Sequence, residues 1–381
     1  MYLEKIVLNN FRCFEKLEVT LDKMLTVVVG ANGAGKTSLL EGMAIAISTM
    51  FTALDGVKGR GIDKSQAHLK AYAMGSTSDV QPQYPVTISA DAVVDGRQVH
   101  WDRSLNTSTG QTTIKGAKDL VAVATDYHRE KQTDIFKTNT RTNGYIDSVD
   151  GTANIKLMMN WFRNMTIQKY QNQENGFGAI PELEAVYAAM EKCYHLMTGS
   201  DDAKIQYNMG TTELDISYID ETGKRMRIPI SQLSDGYKGT ISLVADIAYR
   251  MAVLNPQCLG NVCDETDGII LIDEVDLHLH PAWQQRILGD LTSIFPKVQF
   301  IVTTHAPEVI NSVQRENVIV IENNQAVSAP AETYGKDANG ILRCIMRVKE
   351  RPQIIIEKFE LFYHLLDEKN YKMAEQRMSY L

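Results

Sequence analysis

Gly30-Ala31-Asn32-Gly33-Ala34-Gly35-Lys36-Thr37 follows the apolar stretch Leu25 to Val29 and precedes an apolar helical run, Ser38 to Met50. Strand, glycine-rich turn and helix in this order make the phosphate-binding loop, and they set the fold class as α/β of the P-loop NTPase type. Small residues let successive backbone N–H groups curl round phosphates while the helix turns the positive end of its dipole toward them. Asn32, Gly33, Ala34, Gly35 and Ser38 belong to that cradle. Lys36 is expected to neutralise β/γ-phosphate charge and Thr37 to ligate Mg²⁺. The spacing predicts a bound nucleoside triphosphate.

Outward from the loop, Leu3 to Leu8 and Leu17 to Leu21 read as two β segments ahead of the apolar strand. Val86 to Val94 and Arg97 to Leu105 predict a hairpin turned at Asp95-Gly96, followed by a polar loop from Asn106 to Lys118. From Asn154 to about Gly199 the pattern is helical, interrupted between Gln171 and Pro181, and strand signals return at Ile205 to Ile219 and Arg227 to Ile230. No sustained heptads occupy the roughly 200 residues between Thr37 and Ser234, which excludes long coiled-coil arms.

The chain has 381 residues, 44% of them hydrophobic, enough for a large core, and no apolar run reaches the roughly 18 residues that would span a bilayer. Without a signal-peptide pattern at its start, it is expected to be cytoplasmic, with no membrane partner. Cys13, Cys193, Cys258, Cys263 and Cys344 lack metal-ligand spacing and read as reduced, mostly buried thiols. The net charge of −8 argues against a surface that coats duplex DNA throughout, leaving Lys58-Gly-Arg60, Lys131 to Arg141 and Lys224 to Arg227 as either local basic grooves or solvated faces.

Three further segments carry chemistry. Gly268-Ile-Ile-Leu-Ile-Asp273-Glu274 is an apolar run ending in two acids, which suits a buried parallel strand opening on the nucleotide. Asp273 is expected to hold Mg²⁺ and Glu274 to act as general base on the attacking water. Ser234-Asp235-Gly236 opens the apolar helical run Thr240 to Leu254 and offers a second anion site at a helix start, the alternative being a plain N-cap. Because one nucleotide cannot readily use both anion sites, these residues predict a two-fold dimer in which Ser234 and Gly236 of each chain close over the other's nucleotide. Val298 to Thr304 forms another buried-strand pattern ending at His305, which is expected to hydrogen-bond the γ-phosphate.

The order of these motifs resembles the ABC-type ATPase heads of the RecF, OLD and SMC group. Asn10-Phe-Arg12-Cys-Phe14 looks like that group's opening strand signature, and the resemblance places Arg12 near the nucleotide. Glu274-Val-Asp276-Leu-His278-Leu-His280-Pro281 is similar to the OLD-like form of the segment after the paired acids, and unlike the transporter form. Gly268 to Gln285, Phe295 to Pro307 and Tyr334 to Asn339 resemble most closely the PtuA-type ATPases of Septu and retron-associated anti-phage systems. The resemblance implies an ATP hydrolase using Mg²⁺, a mixed central sheet, a homodimer or higher homo-oligomer, and regulation of a separately encoded HNH-type nuclease. It also allows a DNA or RNA–DNA ligand, and a RecF- or SMC-like DNA-clamping repair or loading factor is the alternative reading.

On this basis residues 1–153 are the N-terminal part of the head with a β subdomain, 154–200 an inserted helical lobe, 201–330 the rest of the head, and 331–381 a helical tail. Val121 to Gln132 retains Tyr127 and Arg129, as in relatives, but no Q-loop glutamine is assigned there. No TOPRIM-like acidic cluster follows His305, so the chain is not expected to cut DNA itself. In the tail, Ile355, Phe359, Phe362 and Leu366 fall on one helical face that calls for burial, either on the chain's own lobe or against a partner.

Overall fold

The computed structural model describes residues 1–54, 56–74, 77–118, 120–121, 141–149, 154–220, 222–348, 351–371, 373 and 375. Tyr127, Arg129 and most of the stretches Val121 to Gln132 and Lys131 to Arg141 lie outside the described residues.

A five-stranded sheet runs in the order β12-β13-β3-β14-β15, built from β3 (Leu25–Gly30), β12 (Gly268–Ile272), β13 (Val298–Thr303), β14 (Val318–Glu322) and β15 (Gln325–Ser328). The first four strands are parallel and β15 is antiparallel. Strand alternation sends successive side chains to opposite faces, so near-continuous apolar strands require cover on both sides. Val27, Val29, Phe300, Val302, Val318 and Val320 enter one core, and Val28, Ile301 and Ile321 enter the other.

The second core lies between this sheet and an antiparallel one ordered β2-β1-β6-β7-β8. Its strands are β1 (Tyr2–Phe11), β2 (Phe14–Thr20), β6 (Val86–Val94), β7 (Arg97–Leu105) and β8 (Thr113–Lys115). The β6–β7 hairpin pairs Val94 with Arg97 across Asp95-Gly96, as the turn residues indicate. β8 falls inside the stretch expected to be loop; its three residues are all exposed, so no apolar alternation marks it in the sequence. The hairpin β4 (Leu69–Met74) and β5 (Thr77–Pro82) stands beside this sheet.

Helix α1 (Lys36–Ile47) fills the space between the two sheets, burying Leu39, Leu40, Met43, Ile45 and Ala46, and then tightens to a 3₁₀ turn over Ser48–Ala53. Its last carbonyls would be orphaned in an apolar core. Trp101 Nε1–H donates to Ala46 O at 3.0 Å, and Arg103 Nη1 donates to Ile45 O at 2.7 Å. The Arg103 guanidinium thus places a cation at the negative end of the helix dipole, although burial pushes its pKa down to about 10. Gln299, on the same side of β13, bonds both Leu3 N–H and Leu3 O at 2.8 Å and locks one sheet to the other.

The other face of the P-loop sheet carries α2 (Ile155–Glu174), α3 (Pro181–Thr198), α4 (Asp235–Leu254) and α5 (Ile287–Ile294), all contributing to one continuous core. The strand signal over Ile205 to Ile219 resolves into a hairpin, β9 (Lys204–Asn208) and β10 (Glu213–Ile219), joined by β11 (Arg225–Pro229).

Three expectations need correction. β12 is half-buried, not buried, because it is an edge strand among the described residues. The cysteines are free but not mostly buried: Cys193 and Cys263 are, with thiols pushed up to about 12 by burial, while Cys13 and Cys258 are half-buried and Cys344 is exposed. After α6 (Ala338–Cys344), the tail helix α7 (Gln353–Asp367) has no buried residue. Its stripe Ile355, Phe359, Phe362 and Leu366 is only half-buried.

Candidate nucleotide site

The parallel strands β3, β12 and β13 end together, and their carboxyl ends carry Gly30, Asp273 and Thr304, the place where ligands bind in open α/β sheets. The P-loop leaves β3 in close quarters: a Cβ on Gly30 would lie 2.7 Å from Ile321 O. Gly33 and Gly35 take φ of +78° and +99°, and these left-handed positions let the backbone curl before α1 begins. Gly35 is also a packing requirement, since a Cβ there would meet the Phe14 ring at 2.4 Å and Cys13 Sγ at 2.5 Å. Asn32 and Gly33 are exposed, Ala34 and Ser38 half-buried.

Lys36 is 7% exposed, and its ammonium donates to Gly30 O at 2.9 Å and Ala31 O at 3.1 Å, across the mouth of the loop. Burial lowers its pKa, and Asp273, Glu274 and Asp276 act against that shift. The third N–H of the ammonium is left for an anion.

Thr37 Oγ1–H donates to Asp273 Oδ2 at 2.7 Å, bringing together two residues 236 positions apart. A hydroxyl and a carboxylate are hard oxygen donors, and so few protein ligands suit Mg²⁺, which keeps several waters. Thr303 Oγ1 donates to the other Asp273 oxygen and accepts from Glu274 N–H at 2.8 Å, so one hydroxyl orients both acids. Glu274 is exposed, with φ +53°, where the chain turns sharply off β12. His305 follows β13 directly, half-buried, its N–H directed at Asp276 Oδ1 at 3.4 Å.

Arg12 is placed differently from the rest. Its guanidinium grips Glu41 of α1 through Nε at 2.8 Å and Nη2 at 3.0 Å. Glu41 also receives Arg60 and, at 2.9 Å, Gln66 Nε2. Arg12 thus stands one helical turn below Thr37 and is held by a carboxylate. Arg60 of the first basic segment is spent there, and Arg227 of the third pairs with Asp215 at 2.8 Å.

Ser234 occupies the N-cap position of α4, yet its side chain makes no cap bond, which leaves an exposed hydroxyl at a helix start. Asp235 pairs with Lys238 at 2.8 Å, an interaction that lowers its pKa. Gly236 is buried against the segment leaving the paired acids, where a Cβ would lie 2.9 Å from His278 O and 3.1 Å from the Trp283 ring. Tyr237 packs edge-on against Trp283 at 4.3 Å. Among the described residues no hydrogen bond joins Ser234, Asp235 or Gly236 to the P-loop of the same chain.

Sequence reading did not single out Glu41, Thr303 or Thr304. Glu41 has only a place one turn after Thr37 to mark it, and the two threonines read as ordinary strand residues.

A family model described as "AAA domain, putative AbiEii toxin, Type IV TA system" matches residues 113–311, and one described as "AAA domain" matches residues 5–185. The "Retron Ec83 probable ATPase" of Escherichia coli is 24% identical, with 91% of this chain and 76% of that protein covered. The "Septu protein PtuA" of Bacillus thuringiensis is 24% identical over 97% of this chain and 90% of its own. Among solved structures, the "SMC head domain from Thermotoga maritima" superposes with a TM-score of 0.51 at 16% identity, covering 87% of this chain and all of that one, a likeness of fold.

Proposed function

The chain belongs to the AAA-domain family described as a putative AbiEii toxin of a type IV TA system, and from that premise we propose that it is an ATP hydrolase that closes head-to-tail around ATP and controls a separately encoded nuclease of HNH type in antiviral defence. The convergence of Lys36, Thr37, Asp273 and Glu274 at one end of the sheet carries the reading.

In this scheme the P-loop N–H groups and Lys36 hold the β/γ-phosphates, and Thr37 and Asp273 hold Mg²⁺, which neutralises charge developing on the phosphates. Glu274 takes a proton from water as its oxygen bonds to the γ-phosphorus, and the bond to the β-phosphate oxygen breaks, releasing ADP and phosphate. His305 hydrogen-bonds the γ-phosphate. Ser234 and the α4 N-terminus of a second copy complete each site, so the closed and open pairs display different surfaces to the nuclease, and nucleotide acts as a switch through its differential affinity for the two forms. The retron and Septu names of the relatives support the defence setting.

Lys36→Ala is expected to abolish MgATP binding, whereas Glu274→Gln retains it, slows hydrolysis by about 10²-fold and accumulates dimer. Isothermal titration, phosphate release and sedimentation read the three effects. If Glu274→Gln turns over ATP at the wild-type rate, the assignment of the base is wrong. Co-expression with the adjacent reading frame tests the partner, and a chain that neither binds its product nor alters phage sensitivity is not a nuclease regulator. Nucleic-acid binding that requires ATP and falls steeply with salt would favour the clamp reading instead.

A further inference from the structure

The two consecutive threonines that end β13 face different acids. Thr303 serves Asp273 and the Glu274 amide, as described. Thr304, fully buried, donates from Oγ1 to Asp276 Oδ1 at 2.6 Å and accepts from Ala306 N–H at 3.0 Å. The same Asp276 oxygen receives the His305 N–H at 3.4 Å. His305 is therefore bracketed by three main- and side-chain hydrogen bonds that converge on Asp276. Asp276 itself lies two residues after Glu274, where Val275 N–H is bonded to Thr303 O at 3.0 Å and Leu277 N–H to Glu274 O at 2.9 Å. The exits of β12 and β13 form one cross-braced unit, and its pins are side chains that point away from the P-loop.

We propose that Asp276 is a positioning residue of the ATPase: through Thr304 and the His305 amide it fixes the imidazole relative to Glu274, so that the base and the γ-phosphate contact are held as a single rigid pair. The inference rests on the ATPase reading above. Asp276 touches no nucleotide in this scheme; it acts only through His305. Displacing a reacting-site group by about 1 Å costs on the order of 10²-fold in rate, while the contacts of Lys36 and Thr37 that set affinity are untouched. The signature of the clasp is a fall in kcat without a matching rise in KM.

The experiment compares steady-state MgATP hydrolysis by the full chain and by Thr304→Val, Thr304→Ser, Asp276→Ala, Asp276→Asn and His305→Ala. Thr304→Val and Asp276→Ala are expected to lower kcat by about tenfold or more with KM within about twofold of wild type. Thr304→Ser keeps the hydroxyl and Asp276→Asn keeps an acceptor oxygen, so both are expected to retain most of the rate. In a His305→Ala background, Thr304→Val should cost nothing more, because coupled residues are non-additive. Wild-type rates in Thr304→Val and Asp276→Ala, equal losses in the conservative variants, or additive losses with His305→Ala each overturn the clasp. Asp276→Ala, on a half-buried segment, decides the matter should the buried Thr304→Val fail to fold. A wild-type chain that does not hydrolyse MgATP overturns the ATPase reading together with the clasp, whereas an active one with unaffected variants overturns the clasp alone.

Discussion

At Gly35 two physical constraints coincide that at Gly33 are separate. Both residues have positive φ, but a side chain at Gly33 meets open space whereas one at Gly35 meets Phe14 and Cys13. Gly33→Ala should therefore cost only backbone strain, about 1–2 kcal/mol. Gly35→Ala must also displace the aromatic ring that packs under the loop. We expect it to melt measurably lower than Gly33→Ala and to bind MgATP at least about tenfold more weakly than wild type, with overpacking adding about 1–3 kcal/mol. Equal melting temperatures for the two variants would contradict the packing argument. Arg12 shows the opposite relation of residue to sequence: the motif around it points to the nucleotide, and the structure gives its guanidinium to Glu41. That carboxylate, already shared with Arg60 and Gln66, is an acceptor that spacing along the chain does not reveal.

Elements behave as their patterns indicate when one face must be buried, and less so at edges. The hairpin turned at Asp95-Gly96 and the P-loop strand were legible because alternation and turn chemistry are local. β8 and the hairpin division within Ile205 to Ile219 were not, because short exposed or half-buried strands carry little apolar signal. The tail helix went further from expectation. Its periodic stripe is clear in the sequence, yet none of its residues is buried, and Ile354, Leu361 and Tyr363 are 68%, 44% and 59% exposed. Between the two main sheets, Gln299 is the counter-example of a polar residue in a buried strand, bonded to both main-chain groups of Leu3 and, at 2.7 Å, to Asp22 O. Gln299→Leu would strand these groups without water. It is expected to destabilise the fold by at least about 2 kcal/mol, read by denaturant titration. A loss below about 0.5 kcal/mol would mean the two sheets do not depend on this contact.

For the whole molecule, the decisive question is whether one nucleotide is shared by two chains. In a head-to-tail pair, a chain with Lys36→Ala still offers an intact Ser234, and a chain with Ser234→Arg still offers an intact P-loop. Each variant alone is expected to lack hydrolysis, while their mixture should recover it through the one competent composite site, at up to about a quarter of the wild-type rate if pairing is random. A mixture as inactive as its components, or a fully active Ser234→Arg, would place the entire site within one chain. The placement of Gly236 under His278 O gives the pair its rigidity, since it fixes the start of α4 against the segment leaving Asp273 and Glu274.

What the sequence by itself determined is the set of local instructions: a P-loop between an apolar strand and a helix, acids and a histidine at the ends of two further strands, and a serine at the head of a helix. These are legible because glycine conformations, strand periodicity and helix starts depend on near neighbours in the chain. Only the tertiary structure decided who partners whom. Thr37 meets Asp273, Thr304 meets Asp276, Arg12 meets Glu41 and Arg103 caps the end of α1 because four parallel strands bring their ends to one edge and a second sheet closes over the helix. Such contacts join residues tens to hundreds of positions apart, and their energy depends on burial and hydrogen-bond geometry that exist only once the layers have packed.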